Sequence, residues 1–466
     1  MGKSIVTSFA YAFGAQVISL MTTLMLTLLA PKFIGVEEFA YWQLFLTYAS
    51  YVSMTRLGLS DGLYLRLGGK HYEELDYKLL SHERQLFLLF QGVISIVSII
   101  FVSTSTLNSD RKFVLIACSI CIVIVNANVF LVYIIQAVNM TQKYAISNVL
   151  QNLPWFAAVA VIAVTRLKSY KIIIIFYILG YLIAGVYLSW QAKEIVHHQY
   201  TDIKKVVEDV NENVRCGIKL MVATFSGSLI IASARMIVDA SWGVEVFGYF
   251  SFSLTLANVF LTFVNQLSVV VFPALRRVRD DKQREVYFLI RNILRMILPL
   301  VMLGYFPITV FVKLFLPQYE YSLIFLPVFL PICTFDGKMQ MMCGSFFKSM
   351  RKEQVLLNIN LITLGLSIIT AILGSFVVRN IYFVAFGILF VVALRSIVAE
   401  LLLAKYMNVN ILSELFQEIF LVVCFIIGAI KLPAYMMFIV YSFMYLIYIA
   451  LNFGKIKKIL NLNVFK

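Results

Sequence analysis

The sequence predicts an all-α, polytopic membrane protein. It should have about fourteen transmembrane helices, in two parallel six-helix lobes around a central cavity, plus two extra C-terminal helices. Three observations predict this. The 466 residues are 61% hydrophobic and only 14% charged, where soluble chains average about 45–50% and about 25%. Apolar runs of span length recur along the whole chain; at about 20 residues each, fourteen leave connections of roughly 12 residues. An eight-residue motif returns at an offset of 208. This composition excludes a disordered chain, a secreted disulfide scaffold and an ordinary cytosolic enzyme, and no soluble domain fits in the connections.

Apolar runs bounded by charges and turn residues place spans at 8–30, 40–63, 86–104, 113–138, 146–165, 172–190, 217–239, 247–271, 286–309, 321–347, 355–377, 381–403, 411–430 and 433–453. They are far longer than the 9–11 residues of a barrel strand, so helices are the spanning structure. Lys3 leads straight into a stretch too long for a signal peptide's apolar region, with no small-residue cleavage site, so it reads as the first span. Cys118-Ser-Ile-Cys121 has redox or metal spacing but lies inside a span without partner ligands, and the six cysteines read as small apolar fillers. The four histidines all fall in polar loops. No metal site and no cofactor is expected.

With the N-terminus inside, connections on that side carry 24 Lys and Arg against nine on the other, and six lie within spans. Basic residues concentrate on cytoplasmic loops, so both termini are predicted inside. The formal charge of +15 then reflects orientation and attraction to anionic lipid headgroups, not nucleic-acid binding.

The repeated motif is Gly35-Val-Glu-Glu-Phe-Ala-Tyr-Trp42 after the first span and Gly243-Val-Glu-Val-Phe-Gly-Tyr-Phe250 after the seventh, identical at five of eight positions. A fainter echo joins Met140-Thr-Gln-Lys143, with Asn148, to Met350-Arg-Lys352, with Asn358. The offset spans six helices, an even number, so both copies enter from the same side as parallel repeats. The predicted divisions are 1–205 (spans 1–6), 206–405 (spans 7–12) and 406–466 (the extra pair and tail). Transporters built this way bind substrate between lobes.

An ionisable group inside a span costs about 2.5–3.5 kcal/mol and faces an interior or a water-filled cavity. Arg56, Arg235, Arg291, Arg295, Lys338 and Arg395 stand against Asp239, Asp336 and Glu400. An excess of cations suits an anionic cargo, and arginine matches phosphate oxygens bidentately. The cavity candidates are Arg56, Arg235, Arg291, Arg295, Asp336, Lys338 and Arg395. Each also has a structural reading. Arg291 and Arg295 share a helix face, and Arg295 can snorkel to the interface. Arg235 and Asp239 are one turn apart and can pair. Arg395 and Glu400 can form an interfacial pair. Asp336 and Lys338 sit deep in span ten behind Pro327 and Pro331. Amides at Gln16, Asn126, Asn128, Gln136, Gln151, Asn152, Asn258, Asn265 and Gln266 suit a sugar-lined path or glue helices together.

Several stretches carry a family resemblance: Phe33-Ile-Gly-Val-Glu-Glu-Phe-Ala-Tyr-Trp42, Leu57-Gly-Leu-Ser-Asp61-Gly-Leu-Tyr-Leu-Arg66, Pro273-Ala-Leu-Arg-Arg277, Leu316-Pro-Gln-Tyr-Glu-Tyr-Ser322 and Phe347-Lys-Ser-Met-Arg-Lys352. In order and spacing, from residue 1 to about 405, the chain resembles bacterial polysaccharide-unit flippases of the multidrug/oligosaccharidyl-lipid/polysaccharide exporter superfamily. The resemblance implies movement of undecaprenyl-diphosphate-linked oligosaccharides from the cytoplasmic to the outer leaflet of the inner membrane, by alternating access between two lobes. It serves surface polysaccharide synthesis (O-antigen, capsule or a related polymer). The implied partners are the lipid-linked oligosaccharide, membrane lipids, and a polysaccharide polymerase with its assembly machinery. Asp61 and Arg66 match family positions at the inner mouth of span two and are candidates for gating; Asp239 is a third. A coupling ion, proton or sodium, is left open, with Asp336 the carboxylate best placed to titrate.

Two other classes compete. A membrane polymerase or transferase needs acid/base groups on a sizeable outer loop, and the outer loops are roughly ten residues or fewer with scattered acids, so no enzyme is expected. A drug–cation antiporter of the same superfamily favours an acidic cavity and twelve spans, where this chain offers cations and fourteen.

Overall fold

The computed structural model describes residue 18 and residues 21–197, 203–276, 283–350 and 352–460, with side chains described to 262 in the third stretch and to 452 in the last. Gln16, Arg351, Arg277 and the side chains of Asn265, Gln266 and 273–276 lie outside it. The described elements are helical throughout, with no strand among them. The chain is an all-α polytopic membrane protein. Among the described residues, ten helices are long and apolar enough to cross a bilayer, eleven if a pair bent by 66° (Pro317–Ile324 with Leu326–Ser349) is one span.

The difference from fourteen has three physical sources. Helix α1 covers Met21–Phe33 among the described residues and is too short there to count as a span. The second span is broken in its middle. The stretch Ile203–Thr262 is 60 residues, about 90 Å at 1.5 Å per residue, three times a hydrocarbon core. Gly243, with φ 81° and ψ 176°, interrupts it and makes it two crossings. Contacts divide the chain into two compact units, Met1–Phe225 and Ser226–Lys466.

In the first unit, α2 (Val36–Tyr51) passes into a 3₁₀ turn, Val52–Arg56, and restarts as α3, Leu59–Leu67. Leu57 and Gly58 take left-handed φ values of 52° and 83°. Freed backbone groups inside a membrane need partners. They come from α4 (Tyr77–Thr104) and α5 (Ser109–Ala137). Gln91 donates to Thr55 O at 2.9 Å and accepts from Thr55 Oγ1 at 2.8 Å. Asn126 donates to Gln91 Oε1 at 2.9 Å, Thr55 Oγ1 at 2.8 Å and Val52 O at 3.4 Å. Asn126 therefore seals the break and does not line a sugar path. Gln91→Leu is expected to cost about 1–3 kcal/mol for each group it strands, read as a lower melting temperature of the purified protein. Leu89→Ala on the exposed face of the same helix should leave that temperature nearly unchanged. Helices α6 (Thr141–Thr165), α7 (Tyr170–Gln191) and the short α8 (Lys193–His197) complete this part of the unit. The motif residues Phe39, Tyr41 and Trp42 are buried, with Trp42 edge-on to Trp155 and Tyr177.

Helix α9, Ile203–Arg276, begins in the first unit and ends in the second. In the second unit, Gly243 precedes its helix as Gly35 caps α2. Phe247 and Phe250 are buried like Phe39 and Trp42. The two copies of the motif thus occupy the same local setting. Helix α10 (Gln283–Ile297) runs through a 3₁₀ turn, Leu298–Gly304, into α11, Tyr305–Phe315. Helix α12 (Leu326–Lys338) continues through a π-turn, Met339–Cys343, into α13, Gly344–Ser349. Then come α14 (Glu353–Ile372), α15 (Ile381–Tyr406), α16 (Leu412–Lys431) and α17 (Ala434–Leu460).

Helix α17 is fixed by a tyrosine stripe at i, i+4 and i+7. Tyr441 donates to Pro299 O at 3.0 Å, Tyr445 to Met296 O at 2.6 Å and Tyr448 to Arg295 O at 3.1 Å. Pro299 has no N–H to give Arg295 O, its i−4 carbonyl, and Tyr448 replaces that donor. The outward faces of α4 and α17 are covered in Leu, Ile, Val and Phe. In water such faces would aggregate; in a bilayer they meet the solvent they suit.

Candidate functional site

The second unit holds a chain of charges that joins six helices. Arg291 Nε on α10 donates to Glu400 Oε1 on α15 at 2.7 Å. Lys338 on α12 donates to Glu400 Oε2 at 2.8 Å and also to Glu418 on α16. Arg295, one turn beyond Arg291, lies 3.9 Å from Glu418. It also donates to Tyr448 Oη at 3.1 Å and Asn452 Oδ1 at 2.7 Å on α17. Arg395 pairs with Asp336 at 3.2 Å and donates to Asn360 on α14 at 2.9 Å. Lys338 and Glu400 have no exposed side-chain surface, and Arg291 and Arg295 keep 2%.

This arrangement alters two readings of the sequence. Arg295 does not snorkel; it is buried and bonded on several sides. Arg395 and Glu400 do not pair, because five residues on a helix are about 140° apart at 3.6 residues per turn, and each turns to a different partner. Asp336 and Lys338, two residues apart, likewise serve separate pairs. Arg291, Arg295, Lys338, Arg395 and Asp336 are thus brought together, but each cation faces a carboxylate. The network holds four cations against Asp336, Glu400 and Glu418, a residual charge of one. Glu418 was missed because it was not counted among the charges within spans, although it sits well inside the apolar run 411–430.

Arg235 and Asp239 lie elsewhere in the second unit. Arg235 donates to Ser251 Oγ at 3.1 Å and stands over the Phe247 ring at 5.3 Å. Asp239 is buried.

In the first unit, Arg56 ends the 3₁₀ turn of the broken span. It is half-buried, donates to Ser53 O at 3.2 Å and stands 5.7 Å from the Tyr133 ring centre. No carboxylate lies within 4.0 Å of it among the described residues. Asp61 is buried in the first turn of α3, where the helix dipole favours a carboxylate, and its Oδ2 meets no donor there. Arg66, at the other end of α3, reaches α9: it binds Asp209 at 2.7 Å, Glu212 at 3.0 Å and Asn213 Oδ1 at 2.6 Å. Glu83 was missed because it falls three residues before the expected span 86–104. It is buried and accepts from Asn213 Nδ2 at 3.0 Å.

Outside the membrane-spanning helices, the Tyr72 hydroxyl is pushed up by burial and by its bond to Glu194 at 3.1 Å. This links the loop after α3 to α8.

A repeated local motif, broken spans and charges satisfied inside the helix packing define an all-α polytopic membrane protein. No family model matches the chain, and no curated protein matches it. Solved structures do. The chain is similar to the lipid II flippase MurJ in an inward closed conformation, at TM-score 0.64 and 14% identity, over 97% of this chain and 99% of that one. It is similar to an inward-facing multidrug resistance MATE transporter at TM-score 0.63 and 14% identity, over 84% of this chain and 94% of that one. A transporter of the same superfamily from Pyrococcus furiosus gives TM-score 0.56 and 14% identity, over 86% and 95%. The chain has the fold of the MOP-superfamily transporters.

Proposed function

We propose that this protein is a flippase that moves an oligosaccharide on a polyprenyl-diphosphate carrier across the bacterial cytoplasmic membrane, from the inner to the outer leaflet, by alternating access between its lobes. The observation that carries the reading is the extent of the likeness to the lipid II flippase. At 97% of the chain, too few residues are left out to omit α16 and α17, whereas 84% leaves room to omit them. The sequence motifs shared with polysaccharide-unit flippases point the same way. Arg56 is the cation best suited to a diphosphate, because its guanidinium is half-exposed and has no carboxylate partner among the described residues. Arg291, Arg295, Lys338 and Arg395 suit it less, since each is buried and faces a carboxylate. Both termini are cytoplasmic in this reading, and a polysaccharide polymerase consumes the flipped unit.

A drug–cation antiporter is the second reading, favoured by the MATE likeness. In the second unit, however, Asp336, Glu400 and Glu418 are already paired with cations, which leaves no free carboxylate in that network for a cationic drug. The deciding experiment is a strain lacking the gene, assayed for lipid-linked oligosaccharide on the cytoplasmic leaflet. Accumulation is expected, with rescue by the wild-type chain and at least tenfold weaker rescue by Arg56→Gln at equal protein level. Normal leaflet distribution in the deletion, with increased drug sensitivity, would overturn the flippase reading in favour of the antiporter.

A further inference from the structure

We propose that Glu83 and Asp209 form a proton-binding carboxyl pair that sets how tightly α3 packs on α9. Glu83 has no exposed surface and Asp209 little. One amide, Asn213 Nδ2, donates to both carboxyls, at 3.0 Å to Glu83 and 3.2 Å to Asp209, and so holds them side by side. Two ionised carboxylates offer acceptors only and repel at contact. The pair is held together when one of them carries a proton. The division of labour follows from the partners. Asp209 receives the Arg66 guanidinium at 2.7 Å, which favours its ionised form. Glu83 receives only the Asn213 amide at 3.0 Å, and its Oε2 meets no donor among the described residues. The proton therefore resides on Glu83.

The charges around the pair come from every neighbouring element. Helix α3 presents Arg66, with Asp61 at its far end; the following loop presents Lys70 and Asp76; α9 adds Glu212; α8 carries Lys193 and Glu194; and α4 itself carries His82 and Arg84. Near the pair, α5 packs Phe130 against Phe87 of α4, and its polar contacts to α4, such as Asn126 to Gln91, lie further along the helix. A cavity of about 140 Å³ lies on the Asp209 side of the pair, lined by Arg66, Lys70, Asp76, Asp209 and Asn213 among others. Half of its lining residues are polar and it is large enough for water, which gives the proton a route in and out through Asp209. Two cations on its wall make it a poor place for a metal ion.

Asn213 links the pair to the seam. Its side chain donates to Glu83 and, at 3.2 Å, to Asp209. Its backbone carbonyl presses against Gly62, where a Cβ would stand 1.9 Å away, and a Cβ on Gly217 would stand 2.0 Å from Gly58 O. Losing the proton sets two negative charges against each other under a contact that has no slack. The seam then loosens. If the flippase reading holds, this pair is a coupling site; the proton site itself does not depend on that reading.

The test is infrared spectroscopy of the purified chain in lipid, as a wild-type minus Glu83→Gln difference spectrum across pH. A protonated-carboxyl stretch is expected at neutral pH, fading as pH rises and unchanged when sodium replaces potassium. Glu83→Gln keeps both hydrogen bonds of the protonated acid. It should melt at nearly the wild-type temperature at pH 7 and lose the fall in melting temperature that wild type shows on the alkaline side. Asp209→Asn, which can donate to an ionised Glu83, should abolish the same band and serves if Glu83→Gln does not fold. A difference spectrum without the band, or a band that responds to sodium, would overturn the proposal. The band together with normal leaflet distribution in the deletion strain would retain the proton site and reject the flippase reading.

Discussion

Lys338→Met is expected to destabilise the protein by about 3–5 kcal/mol, the usual result of removing one member of a buried ion pair. Lys338 is the only cation in hydrogen-bond contact with Glu418 among the described residues, and it shares Glu400 with Arg291. Without it, Glu418 keeps Arg295 at 3.9 Å and loses its direct donor inside a helix bundle. The loss comes from the stranded carboxylate and not from any large net value of the intact pair, because desolvation offsets most of the attraction between buried charges. The control is the double variant Lys338→Met with Glu418→Gln, which removes the stranded charge and should recover more than half of the lost stability. Thermal unfolding of the purified protein in detergent measures both. An unchanged melting temperature for Lys338→Met would show that Lys338 is not enclosed as described. A double variant no better than the single would show that the carboxylate was not the source of the loss.

Gly62→Ala should cost about 3 kcal/mol or more, the upper end for overpacking. Its Cβ would lie 1.9 Å from Asn213 O and 2.6 Å from Asn213 C, both backbone atoms that no rotamer change can move. Carbon atoms rest at about 3.5–4.0 Å, so α3 must retreat from α9 by more than an ångström. That retreat pulls Arg66 from Asp209, Glu212 and Asn213. Gly92→Ala in α4 is the matched control. Nothing lies within 4 Å of its Cβ, and alanine is the better helix former by up to about 1 kcal/mol. The two alanines should therefore move the melting temperature in opposite directions. Equal effects would remove the close seam between α3 and α9.

The sequence makes much of this legible, for identifiable reasons. Membrane helices announce themselves by hydropathy, because each span must bury about 20 apolar residues. The repeated Gly35 and Gly243 motifs survive because both mark a helix start followed by buried aromatics. The breaks after Val377 and at Leu432-Pro433 fall where charges and proline suggest them. Pairings are another matter. Arg291 and Arg295 are visibly on one face, but nothing in the sequence says that Glu400, 109 residues away, and Glu418 close that face. The broken second span was invisible because its seal, Gln91 and Asn126, comes from two other helices. The tyrosine stripe at 441, 445 and 448 has the spacing of one helix face, and the lone Pro299 supplies the reason for it. Read together, those two features would have predicted the contact. A count of charges within spans finds the right residues, yet their net sign depends on each acid at a helix margin, as Glu83 and Glu418 show.

The tyrosine stripe and the Lys338–Glu418 contact have a consequence for shortening the gene. A product ending after Tyr406 would keep every earlier helix and still lose the donor to Arg295 O, the acceptors Asn452 and Tyr448, and the carboxylate on Lys338. The buried Arg295 guanidinium would then lose its carboxylate and its partners on α17, and Lys338 would keep Glu400 alone. The last sixty residues are in this sense a structural lid on their own unit. Any engineered minimal version must supply a replacement for each of those contacts before it can be expected to insert and hold its shape.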